Sequence, residues 1–85
     1  MVDDERRAED LAIAAAFGQR VKEIRKEKGM TQEQLAEAAG FHPTFISNIE
    51  RGYRVPSLPT AVRISEGLNT ALTVILKDLH LDREN

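Results

Sequence analysis

Residues 29–58 read GMTQEQLAEAAGFHPTFISNIERGYRVPSL, and their spacing writes two short helices around one tight turn. Thr31 followed by Gln34 is a capping box, in which each side chain serves the other residue's backbone N–H; Met30 against Leu35 is the matching hydrophobic staple. A helix is therefore expected from Gln32 to just before Gly40. Gly40 is the residue type that adopts the left-handed closing conformation without steric penalty. Only Phe41 and His42 separate it from Pro43, whose fixed φ and missing N–H suit the first position of a new helix. That helix is expected to run to about Arg51 and to end at Gly52, with Phe41 and Ile46 as a second staple. His42 stands where a Ser or Thr cap is usual. Short oxygen-bearing side chains cap best, so His42 reads as a weak cap rather than a ligand.

Two such helices joined by a Gly-containing turn form a helix-turn-helix when their facing surfaces are small and apolar. Ala36 is small where the helices touch, and Ile46 and Ile49 point from the second helix back toward Leu35 and the preceding helix. Pro43, Thr44, Phe45, Ser47, Asn48 and Arg51 remain on the outward side. A short polar ridge of this kind suits a DNA major groove about 12 Å wide.

Working outward, Leu11, Ala14, Phe17, Val21 and Ile24 recur at helical spacing and predict a first helix from about residue 5 to Lys28. Gly18 interrupts it, at about 1 kcal/mol relative to Ala. Downstream, Ser57 caps a helix reaching Gly67, and Asn69 or Thr70 opens a last one. Thr73, Val74 and Ile75 are β-branched and admit a strand, but a lone strand has no partner, and Leu72, Ile75, Leu76 and Leu79 fit helical spacing. The sequence thus predicts an all-α chain of five helices. Its expected division is an acidic N-terminal extension over 1–14 continuing into the first helix, a helix-turn-helix and dimerisation domain over 15–80, and a tail over 81–85.

The 85 residues allow one small domain without cysteine staples, and no apolar run is long enough to span a membrane. The formal charge of −2 argues against an unspecific polyanion binder, but it is unevenly spread. Residues 1–10 carry a local −3 and residues 77–85 a local −1, which leaves +2 for the stretch between. No secretion signal is recognised, and a cytoplasmic location is expected. An enzyme is disfavoured: there is no Cys nucleophile, His42 and His80 lie far apart, and no HExxH, metal-ligand cluster or phosphate-cradling Gly loop occurs. No catalytic residue, metal or cofactor is expected.

The quoted run closely resembles the phage-repressor and Cro-like (XRE-type) family of helix-turn-helix transcriptional regulators. Thr31, Gln32, Leu35, Ala36, Gly40, Ile46, Ser47, Ile49, Glu50, Gly52, Pro56 and Ser57 all fall at the family's spacing. The segment TFISNIERG is most similar to the small controller proteins of restriction and modification operons, although antitoxin repressors share much of the pattern. The resemblance implies a compact five-helix, lambda-repressor-like DNA-binding domain. It also implies a homodimer that sets the recognition helix, about 43–51, into successive major grooves of a two-fold related operator, half-sites roughly 34 Å apart. In similar proteins the residue matching Gln32 touches a phosphate, and the residue matching Glu50 pairs with an Arg at the position of Arg25, a structural ion pair.

Within that frame Thr44 and Asn48 are the candidates for base edges, since Asn can pair with adenine in bidentate fashion. Phe45 either meets a thymine methyl or packs beside the neighbouring helix. Pro43 replaces the Arg or other polar residue common there, so one direct base contact is expected to be missing. Arg51, Tyr53 and Arg54 follow the recognition helix where the chain would pass the sugar-phosphate backbone. Arg20, Lys22, Lys26 and Lys28 alternate with Glu23 and Glu27 and read as a solvated face. Val74, Leu79 and Leu81 exceed the last helix's core stripe and are expected in the homodimer contact. The rival reading is an antitoxin-type repressor or protein-interaction module that binds a partner, such as RNA polymerase or a cognate toxin, through the N-terminal arm or the last helix.

Overall fold

Local capping chemistry divides the chain into α1 (Val2–Glu27), α2 (Gln32–Ala39), α3 (Pro43–Glu50), α4 (Leu58–Gly67) and α5 (Leu72–Lys77). The structure is a computed structural model that describes residues 2–77 and 79; among these there is no strand, and the β-branched residues 73–75 are helical. The expected tail over 81–85, Leu81 and His80 lie outside the described residues.

The capping box forms as written: the Gln34 N–H donates to Thr31 Oγ1 at 3.0 Å and the Thr31 N–H to Gln34 Oε1 at 2.8 Å. The far end of α2 closes through Phe41 N–H to the Ala36 carbonyl and Gly40 N–H to the Glu37 carbonyl, with Gly40 at φ 81°. This is the Schellman arrangement, which satisfies the last carbonyls of a helix. The same bonding ends α4, with Asn69 at φ 52° in place of a glycine, Asn69 N–H on Glu66 and Thr70 N–H on Ser65. Asn69 therefore closes α4 rather than opening α5. Thr70 turns its hydroxyl back onto the Leu68 carbonyl, and the first bonds of α5 run to the Ala71 carbonyl instead.

Packing follows from which faces these helices must hide. α2 lies against α3 and α4, α3 against α1, and α5 against α1 and α4. Phe17, Val21 and Ile24 of α1 meet Leu35, Ala36, Ile46, Ile49, Ile64, Leu68 and Ile75 in one core. Leu11 departs from the expected stripe, being 42% exposed. The cause is the length of α1: 26 residues at 1.5 Å rise make a rod of about 39 Å. The whole chain measures 40 × 23 × 18 Å, so the first turns of α1 overhang the bundle.

Gly18 does not weaken α1 at random. A Cβ there would overlap the carbonyl oxygen of Ile49 and come within 2.9 Å of that of Glu50. The absent side chain lets α1 and the end of α3 meet backbone to backbone.

Candidate nucleic-acid interface

The candidate surface is built on a helix anchored from below. Ile46 and Ile49 of α3 are fully buried, while Thr44 is exposed and Ser47 and Asn48 are half-exposed on the other side. Pro43 occupies the first position, and His42 caps the helix through Nδ1, which accepts the Thr44 N–H at 3.1 Å. Such a cap satisfies one of the free N–H groups of the first turn.

The C-terminal end of α3 is fixed by charge. Arg25 grips Glu50 with two bonds, Nε to Oε2 at 2.6 Å and Nη2 to Oε1 at 3.1 Å, and donates Nη1 to the Met30 carbonyl at 2.8 Å. Both side chains are almost wholly buried. Gln32 joins them: its Nε2 donates to Glu50 Oε1 at 3.0 Å. The carboxylate is thereby neutralised and turned inward, away from the outward ridge. Gln32 is half-buried, and its side chain holds the ion pair as well as leading α2, whose first N–H groups have no partner within the helix.

Phe45 is half-buried and packs on Phe41, ring centroids 4.8 Å apart. The Arg54 guanidinium lies 5.6 Å from the Phe45 ring centre, and that of Arg51 lies 5.8 Å from the Tyr53 ring. Contacts of this kind are worth about 0.5–1 kcal/mol at exposed sites, enough to bias where an arginine rests. Arg51, Tyr53 and Arg54 are all exposed; Arg54 lies beside Phe45, and Arg51 lines a hollow with Ser47 and Gln32.

Lys22, read from sequence as a solvated cation, is half-buried and lines a polar hollow with Gln19, Gln32, Ser47 and Arg51. The available signal was its spacing of three from Arg25, which places both on the face of α1 turned to α3. Arg20, read with the same solvated face, is likewise largely covered, its side chain 15% exposed, and it bridges Glu23 at 2.9 Å along the helix. Of the residues expected at a subunit contact, Val74 is 44% exposed, whereas Leu79 is half-buried against the core. Leu79 also lines an apolar hollow of about 310 Å³ with Ile13, Phe17, Leu58, Leu72 and Leu76. No helix of the described residues is long and apolar enough to cross a membrane.

Comparison with known proteins agrees with this geometry. Residues 21–75 match the family model described as Helix-turn-helix. The chain is 38% identical over 65 residues to the HTH-type transcriptional regulator SinR of Bacillus subtilis, covering 75% of this chain and 59% of SinR, so it spans little more than half of that relative's length. It is 33% identical over 74 residues to the control protein C.SmaI of Serratia marcescens, covering 87% of this chain and 88% of C.SmaI. Among solved structures, the restriction-modification controller protein C.AhdI from Aeromonas hydrophila superimposes with a TM-score of 0.71 at 32% identity, over 73% of this chain and 94% of that one. The five helices have the lambda-repressor-like fold of these controller proteins. The chain belongs to the XRE-type helix-turn-helix family of DNA-binding transcriptional regulators.

Proposed function

We propose that the chain is a sequence-specific regulator that binds double-stranded DNA as a homodimer, laying α3 of each subunit into the major groove of a two-fold related operator. The observation that carries this reading is the division of α3 between fully buried Ile46 and Ile49 and an outward edge of Thr44, Ser47 and Asn48. Asn48 and Thr44 read base edges. Pro43 and Ser47 fit against the groove wall, and Phe45 shapes the edge of α3 while bringing Arg54 to the duplex. Arg51, Tyr53, Arg54 and the leading end of α2 at Gln32 hold phosphates, which position the protein without reading sequence. One short helix reaches only a few base pairs, so two subunits are needed for useful specificity. The subunit contact is assigned to the α5 side, with Val74 and Leu79.

Selection of bound duplexes from a random library tests this reading as a whole, with a two-fold motif as the expected product. Asn48→Ala is then expected to weaken the selected duplex by about 1–3 kcal/mol and random DNA far less. Equal loss on both would remove Asn48 from base readout. A second reading, an antitoxin-type repressor that also holds a cognate toxin, draws on the exposed apolar side chains Leu58, Val74 and Leu76. Capture of a cognate toxin beside a selected duplex would favour it, whereas a chain that selects no duplex would favour a protein-interaction module alone.

A further inference from the structure

The overhanging start of α1 does not stand clear of the recognition surface. Arg7, on the exposed part of the helix, lines an open hollow of about 530 Å³ together with Phe45, Tyr53, Arg54 and Ser57. Arg7 shares one face of α1 with Gly18, Lys22 and Arg25, by their spacing along a 3.6-residue helix. That face is the one that meets α3, through the Gly18 backbone contact and the Arg25–Glu50 pair. Glu5 and Glu9 fall on the opposite side, whereas Asp4 and Asp10, three residues to either side of Arg7, share its face, so the acidic arm still brings one basic group to this hollow.

The hollow has the chemistry of an anion seat. Arg54 and Arg7 supply two guanidinium groups, which suit planar recognition of phosphate oxygens. Tyr53 and Thr60 supply hydroxyls, while Ser57, which caps α4, donates its own to Thr60, and Leu11, Val55 and Pro56 complete the wall with apolar surface. Asp10 is the opposing charge on the same wall. We propose that Arg7 adds a DNA phosphate contact from outside the helix-turn-helix, making the N-terminal stretch of α1 part of the duplex footprint. This rests on the DNA-binding reading above, and it extends the footprint beyond residues 21–75, where the family match lies.

The test is binding of the full chain to the selected duplex and to a scrambled one over a range of salt. Each phosphate contact contributes about 0.9 to the slope of log K against log salt. Arg7→Ala is expected to flatten the slope by about that amount on both duplexes while retaining wild-type helicity and the dimer's mass. Arg7→Lys keeps the slope, and Asp10→Asn tightens both duplexes alike. Asn48→Ala serves as the control, losing sequence preference at unchanged slope. An Arg7→Ala slope equal to wild type overturns the proposal while leaving the DNA-binding reading intact. A flattened slope seen only where the dimer has dissociated also overturns it, assigning Arg7 to the subunit contact. A wild-type chain that binds neither duplex overturns the underlying reading itself.

Discussion

Glu50 is an acid on a helix proposed to lie against phosphates, and its effect depends on where its charge is spent. Buried against Arg25 and bonded to Gln32, it ties α1, α2 and α3 together. Removing one partner of such a pair leaves an uncompensated buried charge, so Glu50→Ala is expected to cost about 3–5 kcal/mol in chemical denaturation. The double change Arg25→Met with Glu50→Leu should recover most of that loss; a double variant as unstable as Glu50→Ala would contradict this account. Gly18 opposes two effects directly. Helix propensity favours Gly18→Ala by about 1 kcal/mol, whereas forcing a Cβ into a packed contact costs typically about 1–3 kcal/mol, and here the obstacle is backbone that cannot rotate away. A lower thermal midpoint for Gly18→Ala is expected, and a raised one would show that α1 and α3 separate at little cost. The sequence marks Gly18 as an anomaly within an apolar stripe but gives no sign of its cause, because the contact joins residues 18 and 49, and no local pattern encodes that distance.

At the scale of the helices, α2 and the turn after it were legible almost residue by residue, because capping boxes, staples and left-handed glycines are local devices with local signatures. α5 was less so. The sequence offers Asn69 or Thr70 as the opening residue of α5, yet the positive φ of Asn69 and the two bonds behind it make it the end of α4. Both roles use the same residue type, and only the hydrogen-bond partners separate them. The outward side of α3 was legible by periodicity, whereas the place of Lys22 beside Gln32 and Ser47 required the crossing of α1 and α3. His42 gives a prediction at this scale. An imidazole nitrogen accepts one bond at the start of α3, but Asn is a better cap. His42→Asn is expected to raise the thermal midpoint by a few degrees and His42→Ala to lower it, since about 1 kcal/mol moves a domain of this size by roughly 4–8 °C. A midpoint that falls in His42→Asn would mean the imidazole contributes more than the cap.

For the whole molecule, the sequence conveyed a five-helix chain with a divided α3 but not the rod that projects from it. Periodicity located α1, and only the folded arrangement shows its first turns passing beyond the core, with Leu11 uncovered. Val74, exposed on α5, supplies the test of assembly: Val74→Glu is expected to give a monomeric mass in sedimentation and weaker operator binding, and an intact dimer would move the subunit contact elsewhere. The meeting of α1 and α3 through bare main chain at Gly18 has a consequence for how a duplex would be recognised. With no intervening side chain to repack, α3 has little room to shift on α1, and in the proposed DNA-binding role shape adjustment falls to the DNA. Operators are then expected to favour easily kinked pyrimidine–purine steps in the spacer that neither subunit touches.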